Sequence, residues 1–496
     1  MKKFLLFFSI FILSIFSVNA QTDYYWVGGT GNWSDLTHWS TTSGGAANAT
    51  LIPGNSTNVI FDANSFTAAG QTVTLNIEDP TCNNMTWTSL SNTPAFNGND
   101  KNLNVYGSLA LSSAMTSSNL RVNFNATATG KTITSGGQTI NALNFNGVGG
   151  GWTLQDNLTA GSINLNYGSL NTNSQTVTAS SFNSENSNVR ALTLGTSVLN
   201  FSGVAGWNTN TTTNFTFSGA SSTINFTGNT PNGQNMYCVG TPQTMAFNIL
   251  NFTAANAGIY TGGFSANTIT FSGNCHAFNG ANTVGTLTVA GLWQQNGNGN
   301  PSASTITTAT IGGNINLSTA NTYGTLNITG VGSTCSFPSG QTQTIGVLNV
   351  TSGSCGSSTT IQASTGGTRA TLSVGSGTVT MSYVSLKDIN VTGGASFTAN
   401  NAIDLGNNNG WTAINGLTPT DYYWVGGTGN WSDGSHWATT SGGTGSGCAP
   451  ASVDNVIFDA NSFTAAGQTV TLNIEDPTCN NMTWTSLSNT PAFNGN

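Results

Sequence analysis

Charge is what this sequence has least of. Only 5% of its 496 residues are Asp, Glu, Lys or Arg, and residues 191–368 contain none. So few cations give no basic patch, which excludes a nucleic-acid partner held by phosphate neutralisation. Cysteine is sparse too: seven, widely scattered, with no CxxC pair. That is too few for a disulfide-dense scaffold and the wrong spacing for a zinc site. Beyond residue 20 no stretch stays apolar over the roughly twenty residues that a membrane span needs. HExxH, GxSxG and Walker-type loops are missing, so neither a cofactor nor an enzyme activity is expected.

What is present begins with a leader. Lys2 and Lys3 precede an apolar run over residues 4–16, and Val18 and Ala20 are small residues at the spacing of a cleavage site. Residues 1–20 therefore read as a secretory signal peptide, which places the mature chain outside the cell or on its surface. Without Lys2 and Lys3, six basic residues face sixteen acidic ones. In an exported chain some cysteines are expected to pair. Many polar residues with little charge can signal disorder. Here, however, 37% of residues are hydrophobic and they alternate with polar ones, which points to an all-β protein.

The chain repeats itself. DYYWVGGTGNWSD occurs at 23–35 and at 421–433, and residues 58–99 recur unchanged at 455–496. Each copy is rich in Trp and Gly; the first has turn signals at GGTG (28–31) and at Pro53-Gly54, and strand signals at 59–61 and 73–77. Between the copies, triplets alternate apolar, small polar, apolar: Ile163-Asn164-Leu165, Ile224-Asn225-Phe226, Ile269-Thr270-Phe271, Leu287-Thr288-Val289, Leu326-Asn327-Ile328, Leu348-Asn349-Val350 and Leu372-Ser373-Val374. From Ile269 onward their leading residues are 18, 39, 22 and 24 apart. With 39 taken as two steps, the period is about twenty residues, within the range of solenoid repeats.

The shortage of charge then has a cause. In a parallel stack, equivalent positions of neighbouring coils lie about 4.8 Å apart. Like charges repel at that distance, whereas Asn, Thr and Ser hydrogen-bond along the stack. The expected fold is an all-β, right-handed parallel β-solenoid (β-helix) with Trp/Gly-rich β capping modules. A series of β-sandwich domains is the alternative. The expected division is a leader at 1–20, a cap at 21–98, the solenoid at 99–413, a linker at 414–420 and a second, truncated cap at 421–496. Leu287, Leu326, Leu348 and Leu372 should be buried in one column or in neighbouring columns.

The motifs YWVGGTGNWSD…HW…SGG, DNVIFDANSFTAAGQTVT and CNNMTW, together with residues 384–390 and GNNNGW at 406–411, resemble the repeat module of a known class. It comprises large secreted, adhesin-like, β-helix-rich surface proteins of Bacteroidota, often exported by the type IX system. The resemblance covers nearly the whole mature chain. It implies a non-enzymatic structural or adhesin-type protein that displays a solenoid for multivalent contacts. Extracellular polysaccharide, other cell surfaces and neighbouring repeats of the same longer chain are the partners it implies. The sorting domain that ends such proteins is missing here, so the array is expected to continue past Asn496.

Two other functions have candidate residues. A polysaccharide-binding or polysaccharide-degrading β-helix protein needs an aromatic platform or convergent carboxylates. Tyr24, Trp26, Trp33 and Trp39 are the candidate platform, set against a structural role as the core of a cap. The candidate charged groups are Asp156, Glu185, Lys387, Asp388 and Asp404, of which Lys387 and Asp388 are adjacent and so point to opposite faces of a strand. His276 has no carboxylate near it in sequence, and His436 repeats His38. Asp35 and Asp62 are candidate calcium ligands, although neither lies in a dense acidic loop. Ice binding is the other function, suggested by Thr268-Ile269-Thr270, Thr286-Leu287-Thr288 and Thr305-Ile306-Thr307, which are 18 and 19 apart. Among the cysteines, Cys335 and Cys355 are one coil apart and should pair, as should Cys448 and Cys479 within the second module. Leu51 stands where Cys448 does, which leaves Cys82 a free thiol.

Overall fold

A computed structural model describes residues 21–241, 243–295, 302–355 and 357–495; the leader expected at 1–20 lies outside the described residues. The chain is nearly all β and forms a parallel β-solenoid of about 20 turns, which disposes of the β-sandwich alternative. It divides into two units: 21–177 with Asn188–Ala191, and Thr178–Ser187 with 192–495.

In the first unit the Trp-rich segment is itself solenoidal. Thr22–Trp26 pairs in parallel with Thr57–Phe61, which pairs with Met85–Trp87, which pairs with Leu109–Ala110. Pairing continues across residues 98 and 99: Thr81–Cys82 meets Asn102–Val105, and Ala95–Asn97 meets Thr116–Ser118. One antiparallel contact, Tyr25 with Ser40 and Trp26 with Trp39, returns the chain to the first strand. The turn that permits it needs glycine. Gly28 and Gly29 have φ of +83° and +79°, and a Cβ on Gly31 would collide with the His38 ring. Beyond the module, Leu103, Val122, Leu143 and Ile163 stack inward. Between them Asn104, Asn123, Asn144 and Asn164 form an outward ladder with amide hydrogen bonds of 3.1, 2.9 and 2.8 Å.

In the second unit one aliphatic column sets the register. Leu199, Ile224, Leu250, Ile269, Leu287, Ala309, Leu326 and Leu348 follow one another in register, and all are buried. Each full-sized member stabilises the stack by roughly 1.5–3 kcal/mol. Beside it the rings of Phe226, Phe252 and Phe271 stack with centroids 4.7 and 4.3 Å apart. The 39-residue gap is two steps, with Ala309 on the intervening rung. Leu372 is buried in a neighbouring column, in register with Gln343.

The second copy of the Trp-rich module starts a separate small sheet: Asp421–Trp424, Trp437–Ala438, Asn455–Phe458 and Asn481–Trp484. Identical sequence packs differently in the two copies. Met85, Trp87 and Phe96 are 0, 3 and 0% exposed, whereas Met482, Trp484 and Phe493 are 42, 36 and 41% exposed. In the first copy Leu109–Ala110 and Thr116–Ser118 lie on these strands. In the second, no strand among the described residues does.

The expected cysteine pairs are corrected. Cys355 is bonded to Cys448, their Cα atoms 5.5 Å apart, and Cys335 and Cys479 remain thiols, as does Cys82. Cys335 lies in register with Ile315 and Ile361 and is fully buried in the core. Cys355 is half-buried in a turn closed by the Ser354–Ser357 bridge. A one-coil spacing brings two residues to neighbouring levels of the stack without putting them on the same side of the wall.

Candidate functional site

The outward faces of the second unit carry the most regular chemistry. Thr268, Thr286, Thr308 and Thr325 are in register on successive coils. A parallel rank of Thr270, Thr288 and Thr310 continues as Asn327 and Asn349. The Asn327 amide donates to Thr310 Oγ1 at 3.1 Å, and the Asn349 amide to Asn327 Oδ1 at 2.9 Å. The third triplet read from the sequence, Thr305-Ile306-Thr307, is displaced from these ranks, and Thr308-Ala309-Thr310 occupies its place. Thr305 instead joins Thr283, Thr322 and Thr344 in a further column. Such a lattice is uncharged, solvent-facing and rich in both donors and acceptors.

The candidate carbohydrate platform is corrected. Trp26, Trp33 and Trp39 have no exposed surface, and a buried ring has no face to offer a sugar. Trp26 and Trp33 each pack edge-to-face on Trp39, at 4.9 and 5.0 Å, and His38 stacks on Trp26 at 4.6 Å. Two of the indole N–H groups are used internally: Trp26 donates to Gly29 O at 2.7 Å and Trp39 to Trp33 O at 2.8 Å. These rings form the core of the first coils. Of the candidate set, Tyr24 alone is half-exposed.

The carboxylates hold turns and neighbouring coils together. Asp35 caps the short turn Leu36–His38, accepting from Thr37 Oγ1 at 2.7 Å and Thr37 N–H at 2.9 Å, which holds its pKa below 3.8. Asp62 accepts from Ser43 Oγ at 2.5 Å and Asn64 N–H at 2.9 Å. Asp156 accepts the N–H groups of Ser135 and Gly136, each at 2.7 Å. Asp388 accepts from the Asn407 amide at 2.5 Å and Gly367 N–H at 3.1 Å, and these bonds depress its pKa. Asp404 takes the Asn408 amide at 2.6 Å and Gly406 N–H at 2.9 Å. Lys387 is exposed, and a ring nitrogen of His276, Nε2, lies 2.7 Å from Asn256 Oδ1. Among the described residues no three His, Cys, Asp or Glu side chains converge as a metal site.

No protein-family model, curated protein or solved structure matches the chain.

Proposed function

We propose that this chain is a non-enzymatic, exported or cell-surface structural protein of adhesin type. Its solenoid presents repeated weak contacts to extracellular polysaccharide or to other cell surfaces. The observation that carries this reading is the recurrence of the same uncharged Thr and Asn side chains at the same outward positions in coil after coil. A surface that repeats meets a repeating ligand in many equivalent registers. Weak sites linked in this way gain roughly 10²–10⁴ in avidity without a deep pocket. Export is supported by the leader-like residues 1–20 and by the resemblance to secreted Bacteroidota repeat proteins. Deleting the full gene and measuring attachment of cells to glass, to polysaccharide and to one another tests the proposal. Unchanged attachment on all three would end it. The in-register Thr columns favour ice binding as a second reading, and absence of thermal hysteresis in the purified chain would remove it.

A further inference from the structure

A half-exposed aromatic pair in the second unit lies where the sequence did not point. Met236–Cys238 runs parallel to Asn256–Thr261, and a register shift after Met236 places Tyr237 opposite Thr261. The shift sets Tyr260 beside Tyr237: both rings are half-exposed, with centroids 5.3 Å apart and planes at 48°. On the coil before, Asn208 is in register with Tyr237. Its amide donates to Glu185 Oε2 at 2.8 Å, and the Asn210 amide reaches Glu185 Oε1 at 3.5 Å. Asn210 Oδ1 in turn accepts from Thr261 Oγ1 at 3.1 Å. Burial pushes the Tyr237 pKa up, and Tyr260 and the Glu185 charge add to it, which places the carboxylate within electrostatic reach of the ring.

We propose that Glu185, Asn208, Asn210, Tyr237, Tyr260 and Thr261 form a contact site for one or two sugar units of a neutral extracellular polysaccharide. The proposal rests on the adhesin-type reading and gives it a ligand class. A tyrosine face takes the C–H face of a pyranose ring, and the polar chain beside it takes the hydroxyls. Glu185 has one amide donor on each oxygen, and an ionised carboxylate has about four acceptor sites, so it retains capacity for ligand hydroxyls. Charge selects against acidic glycans: Glu185 is exposed, and residues 191–368 supply no Lys or Arg to offset a uronate. The rings are tilted rather than arranged as a box, which favours a sugar over a cation held between aromatic faces.

The full chain would be run in affinity gel electrophoresis with hydroxyethyl cellulose, laminarin, galactomannan and polygalacturonate. At least one neutral glycan should retard it, and polygalacturonate should not. Tyr260→Thr keeps a strand-forming residue while removing the ring, and should weaken binding about tenfold, as truncating an aromatic anchor does. Glu185→Gln should weaken it less, and Tyr106→Ala, in the other unit, should leave it unchanged. Circular dichroism would confirm that each variant is folded; Tyr237→Thr is the substitute if Tyr260→Thr is not. Retardation by no neutral glycan, preference for polygalacturonate, competition by tetramethylammonium, or wild-type binding by both tyrosine variants would each overturn the site. The attachment assay separates the two readings. Normal attachment by cells lacking the gene, with glycan binding that depends on Tyr260, keeps the site and removes the adhesin role. Lost attachment without glycan binding does the reverse.

Discussion

Replacing Cys448 by Ser should uncouple the second Trp-rich module from the coils before it. The bond to Cys355 closes a loop with a sequence separation of 93. Chain-entropy reasoning gives about 4.7 kcal/mol at 25 °C for a loop near this length. If all of that opposes opening of the module, losing it raises the open population by about three orders of magnitude. Cys448 packs against the module's own core, Trp424, Trp431, Trp437, Val456, Phe458 and Val470, only as a partly buried neighbour, so that core should stay packed. Opening is therefore expected to be local. It is also expected around the cavity of about 150 Å³ that Tyr383, Leu417, Tyr422 and Asp454 help to line. Hydrogen exchange resolves this directly. In Cys448→Ser, or in the reduced wild type, the segment 415–420 should exchange far faster, with Asp421–Trp424, which pairs within the module, and Met236–Cys238 unchanged. Exchange within tenfold of the oxidised wild type would show that non-covalent packing alone holds the module, and the loop-entropy reasoning would fail.

Leu287→Ala removes a fully buried member of the aliphatic column and should cost about 2–5 kcal/mol, read as a lowered denaturant midpoint; no shift would mean that the column does not set stability there. In the oxidised native protein, Cys479 should be the thiol that alkylates readily. Cys335 and Cys238, pushed up by burial to about 11 and about 12, should react only on unfolding, as should the buried Cys82 and Cys275; mass mapping of early adducts decides. Asp35 has its pKa lowered in the folded state, so the stability it contributes is present above its unfolded value near 3.8 and is lost as pH falls through the folded value. The gap in denaturant midpoint between wild type and Asp35→Ala should accordingly be constant well above pH 3.8 and close as the pH falls below it; a gap independent of pH would refute the assignment.

The periodicity was legible because a half-buried strand alternates whatever its neighbours are, and each triplet reported its own inward side. Register was less legible. It is set by the core column, and at Ala309 that column holds a residue too small to mark a strand as apolar. The Thr-x-Thr spacing therefore points to Thr305, whereas the rank continues at Thr308. The cysteine pairs are illegible for a related reason: spacing reports the level of a residue in the stack but not whether it points in or out, and Cys335 points in. The tryptophans show the limit of composition. An aromatic cluster reads the same on the surface as in the core, and burial separates the two. Tyr237 and Tyr260 were invisible because they meet only across coils, through a register shift that no local pattern announces.

The amide ladders also give the protein a chemical clock. Asparagine followed by glycine is the context in which the side-chain amide is most easily lost, and three such residues are hydrogen-bonded to asparagines of neighbouring coils. Asn146, before Gly147, accepts a hydrogen bond from Asn166 at 2.8 Å. Asn409, before Gly410, donates one to Asn390, and Asn415, before Gly416, donates one to Asn400, each at 2.8 Å. Conversion to aspartate affects the acceptor and the donors oppositely. At Asn146 the new carboxylate still accepts, and the bond becomes charge-assisted. At Asn409 and Asn415 a donor becomes an acceptor-only group facing another oxygen, and the rung opens. Damage to the ladders with age should therefore open the stack beside Asn390 and Asn400, while the rung at Asn146 survives the same chemistry.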